Sequence, residues 1–266
     1  MREDIERVIR SDAGGVGLFR SEFLFMENGN KPPTEEQQFQ AYKLAAESMG
    51  MNRVVIRTAD LGGDKRADFL EMEEEHNPAM GLRGIRMSLE KEEMFKTQLR
   101  AILRASIYGN VQVMFPMITT VDEVVKAKEY LESVKQELKA EKVFFDENIK
   151  VGVMIETPAA VMLSGELARE VDFFSIGTND LTQFTLGMDR TNESVMSHYD
   201  TKHPALLKMI RIVTNNVHLE GKNISVCGDL AADLSMTEFF VQIGVDELSV
   251  APDQVLGLRK KIREIQ

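Results

Sequence analysis

A single cysteine, Cys227, occurs among the 266 residues of the sequence, and this scarcity excludes two kinds of stabilising site. One thiol cannot build a disulfide framework, and it cannot form a Cys-x-x-Cys metal site. No apolar run approaches the ~20 residues that a membrane-spanning helix needs, and no apolar segment of the signal-peptide kind follows the charged start. We therefore expect a cytoplasmic protein with no membrane partner.

The common phosphate-binding motifs are also missing. The GxxxxGK[ST] spacing of a P-loop is absent, and no GxGxxG opens a helix after a strand. A formal net charge of −11 disfavours nucleic acid as a partner, because two polyanions repel each other. Any small anionic ligand must therefore be held by local cations or by a metal ion, against the field of the whole chain.

The sequence does contain short β-type runs that alternate with helical segments from end to end, a pattern typical of parallel strands joined by crossover helices. Eight strands are predicted at residues 15–19, 53–57, 82–86, 111–116, 150–155, 173–176, 224–227 and 247–250. The third is the poorest strand by propensity. Because (β/α)8 barrels take about 250 residues, the pattern predicts an α/β fold of the TIM-barrel class, with residues 1–266 as a single domain.

Two helices between these strands carry clear local signals. Capping-box patterns occur at residues 120–123 and 34–37, and the second is expected to start a helix that ends near Met49. One buried helical stripe is predicted from the spacing of Val124, Ala127, Leu131, Val134 and Leu138. The acidic run at residues 71–75 is interpreted as a solvated loop.

The first three predicted strands deliver three arginines to one end of the fold: Arg20, Arg57 and Arg83. In a barrel the carboxyl ends of the strands meet on one face, so these arginines should become neighbours. Each alone is most often a surface or ion-pair residue, but three together would repel unless an anion lies between them. Guanidinium groups bind both carboxylate and phosphate in a bidentate manner, which favours a ligand with both groups. Lys65 could reach the same anion from the second loop.

Two carboxylates follow adjacent strands at the same predicted face. Glu156 follows the fifth strand, and Asp180, with Asn179 beside it, follows the sixth. Close carboxylates either share a proton or bind a cation, and oxygen-only ligands suit Mg²⁺. Helix capping or pairing with arginines is the structural alternative for either residue. Cys227, which ends the seventh strand, is either an apolar filler or a positioned acid.

Long segments of the sequence resemble the PEP-utilising enzyme family, where PEP is phosphoenolpyruvate. The segments lie in order over nearly the whole chain, at residues 17–26 (GLFRSEFLFM), 57–65 (RTADLGGDK), 77–86 (NPAMGLRGIR), 114–117, 156–160, 177–184 and 227–231. Together with residues 188–192 (MDRTN), they are most similar to the C-terminal domain of Enzyme I of the bacterial sugar phosphotransferase system. Pyruvate phosphate dikinase and PEP synthase are the next most similar members.

The resemblance implies a (β/α)8 barrel that binds PEP and Mg²⁺ and forms a homodimer. It assigns the metal to Glu156 and Asp180, and it makes Cys227 the acid that protonates the methylene carbon of the departing enolate. Contact with the phosphate and carboxylate of PEP would come from Arg20, Arg57, Asn179 and Arg190, supported by Lys65 and Arg83.

In the family that this sequence resembles, a histidine on an N-terminal phosphohistidine domain accepts the phosphoryl group and passes it to a histidine-containing carrier protein. The 266 residues have no counterpart of that domain, so we expect the acceptor on a separate domain. One alternative is the PEP/pyruvate domain of a dikinase or synthase, which would differ in the accepting partner. Another is a catalytically weakened PEP-sensing or dimerisation module, because Asp229 and Ala232 depart from the glutamate and glycine usual after the cysteine.

Overall fold

The computed structural model describes residues 2–29, 31–63, 65, 67, 69–70 and 75–265. The strands in this part are β1 (Gly15–Arg20), β2 (Arg53–Arg57), β3 (Asn110–Phe115), β4 (Lys150–Ile155), β5 (Phe173–Gly177), β6 (Asn223–Cys227) and β7 (Glu247–Leu248). The helices are α1 (Arg2–Arg10), α2 (Glu22–Met26), α3 (Glu35–Met49), α4 (Ile85–Glu90), α5 (Glu92–Ala105), α6 (Val121–Ala140), α7 (Pro158–Met162), α8 (Ser164–Glu170), α9 (Thr178–Leu186), α10 (Pro204–Leu219), α11 (Asp229–Ala232), α12 (Thr237–Ile243) and α13 (Val255–Glu264). Short 3₁₀ helices cover Pro78–Met80, Ser106–Tyr108, Glu193–His198 and Pro252–Gln254.

The strands form one sheet in chain order, from β1 to β7. The pairs β1–β2, β2–β3, β4–β5, β5–β6 and β6–β7 are all parallel. Helical segments separate successive strands, as parallel pairing requires. The predicted TIM-barrel-like α/β class is therefore confirmed, and seven of the eight predicted strands lie where the sequence placed them.

The predicted third strand, at residues 82–86, is wrong. The chain there forms a loop and then begins α4 at Ile85. Gly84 precedes this helix with φ +59°, and its N–H donates to the Leu61 carbonyl over 3.0 Å. A Cβ at Gly84 would lie 2.7 Å from the Cβ of Met117, so only glycine fits this left-handed backbone. The short segment at residues 84–85, between Arg83 and Arg86, is compatible with either a short strand or the start of a helix. The backbone conformation of Gly84 favours the helix.

One compact unit consists of the described residues within 14–117 and 122–151. Helix α3 packs on α5 and on β2 in this unit. Its predicted capping box is confirmed, because Thr34 Oγ1 accepts from the Gln37 N–H and the Gln37 side chain accepts from the Thr34 N–H. The predicted stripe of α6 is also buried, from Val124 to Leu138. Residues 71–74 of the acidic run lie outside the described residues, whereas Glu75 is half-buried and accepts from the Leu82 N–H.

The other compact unit consists of residues 2–13, 118–121 and 152–265 of the described chain. Helix α10 packs on α7, α8 and β6 here, and α11 packs on α9. The strands β5 and β6 are almost completely buried, which explains their near-continuous apolar sequences. None of the helices in the described part is long and apolar enough to cross a membrane.

Candidate functional site

Asp60, three residues after β2, is the centre of a buried charged cluster in the first unit. Arg83 donates to both of its carboxylate oxygens, over 3.0 and 3.1 Å, and the Lys65 ammonium lies 2.5 Å from Oδ2. Arg57 Nη2 lies 3.4 Å from the same oxygen. Burial raises the pKa of Asp60, but the charges of Arg57, Lys65 and Arg83 outweigh it and hold that pKa well below its usual range. Asp60 is therefore ionised and fixes three cations.

Glu22 adds a second carboxylate to this group. Arg57 Nη2 donates to Glu22 Oε1 over 2.6 Å, and Lys65 Nζ lies 3.4 Å from that oxygen. The side chain of Glu22 is 1% exposed, and among the described residues its Oε2 atom has no hydrogen-bond partner. We call Glu22, Arg57, Asp60, Lys65 and Arg83 the Asp60 cluster. Apart from Lys65, which is half-buried, these side chains are buried, so the cluster concentrates three basic and two acidic groups with little access to water.

Arg20 has a different environment from the other predicted cations. It is the exposed last residue of β1, and its guanidinium carbon lies 4.7 Å from the ring centre of Phe23. This cation–π contact steers the side chain while it keeps its charge accessible to water. The structure therefore brings Arg57, Lys65 and Arg83 together and leaves Arg20 exposed at a strand end.

Glu156 and Asp180 lie in the second unit, after β4 and in the first turn of α9. Both are buried, with 1% and 7% exposure. The Glu156 carboxylate lies against Gly177, where an added Cβ would be 2.9 Å from Oε2, so a glycine is needed to accommodate it. Among the described residues no group of three or more histidine, cysteine and acidic side chains lies together. The donor set fits Mg²⁺, which commonly takes one or two carboxylates and completes its shell with substrate oxygens and water.

Cys227 ends β6 with its thiol buried at 4% exposure. The thiol donates to the Ile176 carbonyl over 3.4 Å, and the Ser175 hydroxyl donates to Sγ over 3.7 Å. Thr178 Oγ1 donates to the Cys227 carbonyl over 2.8 Å, so the start of α9 holds the end of β6. Gly228, the next residue, has φ +93° and packs closely against Thr178. Two hydrogen bonds therefore hold the Cys227 thiol at the buried end of β6.

Asn179 connects the same helix to the loop after the cysteine. Its Oδ1 accepts from the Asp229 N–H over 2.9 Å, so its Nδ2 amide hydrogens are the donors left for a ligand. Tyr199 donates to the Asn179 carbonyl over 3.1 Å. Burial raises the pKa of Tyr199, the Arg190 charge lowers it, and the Asp180 charge raises it. Tyr199 therefore lies among the predicted residues Asn179, Asp180 and Arg190.

Sequence reasoning missed Glu22, Asp60 and Tyr199. The two acids did carry a signal, because each lies two or three residues after a strand-ending arginine, and buried cations need counter-charges. No comparable signal marks Tyr199, because its position depends on how the segment between α9 and α10 returns to the helix.

The whole chain, residues 1–266, matches the family model described as PEP-utilising enzyme, PEP-binding domain. The chain belongs to this family. The phosphoenolpyruvate-protein phosphotransferase of Priestia megaterium is 46% identical over 263 residues, and that of Haemophilus influenzae is 47% identical over 262. The alignments cover 99% and 98% of this chain but only 46% and 45% of the relatives, so the chain spans less than half of their length. The resemblance to these phosphotransferases is confirmed.

Solved structures with low sequence identity have the same fold. A citrate lyase from Burkholderia xenovorans LB400 superposes with a TM-score of 0.57 at 18% identity, covering 85% of this chain and 63% of that one. The citrate lyase beta subunit of M. tuberculosis, complexed with oxaloacetate and magnesium, gives 0.52 at 16% identity, covering 98% and 93%. At such identities the likeness supports the fold alone.

Proposed function

We propose that this chain binds PEP with Mg²⁺ and donates the phosphoryl group of PEP to a histidine on a separate phosphohistidine domain, releasing pyruvate. The observation that carries the proposal is the Asp60 cluster. In a chain that matches the PEP-binding domain from end to end, it holds Arg57, Lys65 and Arg83 of the family motifs around one buried carboxylate. An overall charge of −11 makes such a local concentration of cations necessary for any anionic substrate.

PEP carries a phosphate and a carboxylate, and the available donors suit both. Arg57, Lys65 and Arg83 are held by Asp60 before any ligand arrives, so binding PEP costs little side-chain entropy. Arg20 keeps an accessible guanidinium, and Asn179 presents its amide hydrogens. Together with Arg190, these are the proposed contacts to the substrate oxygens.

Glu156 and Asp180 are the proposed ligands of Mg²⁺. Both are buried carboxylates, and the metal's remaining positions suit phosphoryl oxygens and water. A bound Mg²⁺ would supply charge neutralisation during phosphoryl transfer, which depends mainly on positioning and electrostatics. The chain's own contribution is to position the two carboxylates. For Glu156, Gly177 leaves the space that the carboxylate occupies.

In the proposed reaction the bond between phosphorus and the enol oxygen of PEP breaks, and a bond between phosphorus and the acceptor histidine nitrogen forms. The electron pair of the broken bond stays on oxygen and gives the enolate of pyruvate. The Cys227 thiol then gives its proton to the methylene carbon, which yields pyruvate and a thiolate that takes a proton from water. The thiol's hydrogen bond to the Ile176 carbonyl supports a protonated resting state.

The partner assignments rest on the names of the relatives. We propose an Enzyme I-type N-terminal phosphohistidine domain as the acceptor, and through it the histidine-containing carrier protein of the sugar phosphotransferase system. A homodimer and a cytoplasmic location belong to the same proposal.

Calorimetric titration with PEP, with and without Mg²⁺, tests the binding step. Wild-type chain should bind PEP with Mg²⁺, and Glu156→Ala should abolish the Mg²⁺ dependence. Glu166→Ala, which removes an exposed carboxylate on α8, is the matched control and should bind like wild type. Absence of PEP binding by the wild type under both conditions would refute the proposal.

Phosphotransfer to an added phosphohistidine domain tests the chemistry. We expect Cys227→Ala to retain PEP binding but to lower pyruvate release about 100-fold or more, because positioned general acids contribute about 10²–10⁴-fold. Pyruvate is followed with a coupled dehydrogenase. Unchanged turnover in Cys227→Ala would favour the weakened PEP-sensing module instead.

A further inference from the structure

Buried polar side chains linked by hydrogen bonds lie next to the Asp60 cluster, and Gln98 of α5 is at their centre. Gln98 is 2% exposed, and the buried residues Ser21 and Tyr42 lie beside it. A buried amide that lies in a hydrophobic helix contact costs free energy unless all its hydrogen-bonding groups have partners. The partners of Gln98 therefore reveal what the amide does.

Two of the three partners of Gln98 lie directly before a residue of the cluster. Its Oε1 accepts from the Ala59 N–H over 2.9 Å, directly before Asp60. Its Nε2 donates to Ser21 Oγ over 2.9 Å, directly before Glu22, and to Tyr42 Oη over 3.0 Å. Because a backbone N–H fixes Oε1 as the acceptor, the orientation of the amide is unambiguous.

Ser21 continues the connection to the second strand. Its hydroxyl donates to the Arg57 carbonyl over 2.6 Å, so the turn after β1 is tied to the last residue of β2. On the far side, Tyr42 donates to Gln38 Oε1, and Gln38 donates to the Pro33 carbonyl. We call the side chains of Ser21, Tyr42 and Gln98 with these hydrogen bonds the Gln98 clamp. The Gln98 clamp is anchored in α3 and contacts the segments at the ends of β1 and β2 that contain Glu22, Arg57 and Asp60.

We propose that Gln98 is a positioning residue for PEP binding, which sets the spacing between the turn after β1 and the loop after β2. The inference rests on the proposed function, since it assigns a ligand to the cluster. Gln98 touches no substrate group. It acts through Ser21 and Ala59, and a displacement of about 1 Å in the groups that hold a substrate can lower activity about 100-fold.

Gln98→Leu tests the proposal, because it keeps the volume and removes every hydrogen bond of the amide. We expect the Kd and KM for PEP to rise about tenfold or more, while kcat at saturating PEP changes much less, because the lost interaction serves the bound state and the transition state alike. Hydrogen exchange of the Ala59 amide in the free chain should accelerate. Ser21→Ala removes the link to Arg57 and one acceptor of the Gln98 amide, but it leaves the Gln98 bond to Ala59 in place, so it should weaken PEP binding and leave Ala59 exchange unchanged.

Ser106→Ala is the matched control in the same unit. It removes a buried hydroxyl that donates to the Leu103 carbonyl and accepts from the Asp146 N–H, before β3 begins. If this control weakens PEP binding as much as Gln98→Leu does, or if Gln98→Leu binds like wild type, the positioning proposal is overturned and the proposed function stands. If wild type itself does not bind PEP, the proposed function fails. Hydrogen exchange of the Ala59 amide then tests whether Gln98 positions the loop after β2. Faster exchange in Gln98→Leu supports this positioning role, and unchanged exchange overturns it.

Discussion

Gly228→Ala should damage the cysteine loop far more than the addition of one methyl group suggests. Gly228 has φ +93° and ψ −177°, a backbone region that is essentially restricted to glycine and costs other residues about 1–3 kcal/mol. A Cβ there would also overlap Thr178 Oγ1 and lie 2.7 Å from Asn179 Oδ1. Those atoms bond the Cys227 carbonyl and the Asp229 N–H, and each lost bond adds about 1 kcal/mol. We expect a total loss of about 3–5 kcal/mol in the free energy of unfolding.

Urea denaturation measures this loss, and PEP-dependent pyruvate release measures its functional effect. We expect pyruvate release to fall at least about tenfold, because the acid and Asn179 move together. Gly187→Ala is the control. Gly187 ends α9, the helix that contains Thr178 and Asn179, with φ +63°, but it has open space where a Cβ would lie. It should cost only about 1 kcal/mol and leave turnover unchanged. Equal losses for the two variants would refute the reasoning, because the contacts with Thr178 and Asn179 would then contribute nothing.

Three further predictions concern the first unit. Asp60→Asn should lower the free energy of unfolding by about 3 kcal/mol at pH 7, because a broken buried pair leaves its cations uncompensated. The folded-state pKa of Asp60 is lowered, so its contribution to the free energy of unfolding is present above the ordinary pKa of about 4 and is lost as the pH falls below that value. The stabilities of wild type and variant in urea should therefore converge at low pH. Stability curves that stay parallel would count against an ionised Asp60. Gly84→Ala should cost about 2 kcal/mol by urea denaturation, because of its φ of +59° and the contact with Met117, whereas a strand at this position would accept alanine. Arg100→Ala, which breaks bonds to Glu35, Glu137 and Glu141, should cost only about 1 kcal/mol because the acids are largely solvated, and high salt should reduce that cost.

The elements that the sequence predicted correctly depend on local patterns. The stripe of α6 and the capping box of α3 are visible because helical spacing and cap chemistry involve residues three or four apart. The segment at residues 82–86 was misassigned because its outcome depends on the φ angle of Gly84 and on contact with the distant Met117. Local composition contains neither quantity.

The candidate site divides in the same way. Residues at strand ends could be predicted from their type and position, and Arg57, Lys65 and Arg83 do lie together. Asp60 carried a local signal, but its bond to Arg83, 23 positions away, and the bond of the Gln98 amide to Ala59, 39 positions away, could not be predicted. Such pairings are set by tertiary packing.

The Asp60 cluster also constrains how this sequence can diverge. Removing any one of its buried charges leaves an oppositely charged partner buried without compensation. This lowers the free energy of unfolding by about 3–5 kcal/mol, which approaches the whole stability of many domains. Replacing the complete set with apolar side chains of similar volume can be nearly neutral for stability. Single substitutions are therefore disfavoured, while a joint replacement gives a stable chain without the proposed anion site. We expect the five residues to be inherited as one block, retained together in lineages that keep the ligand and lost together in lineages that abandon it.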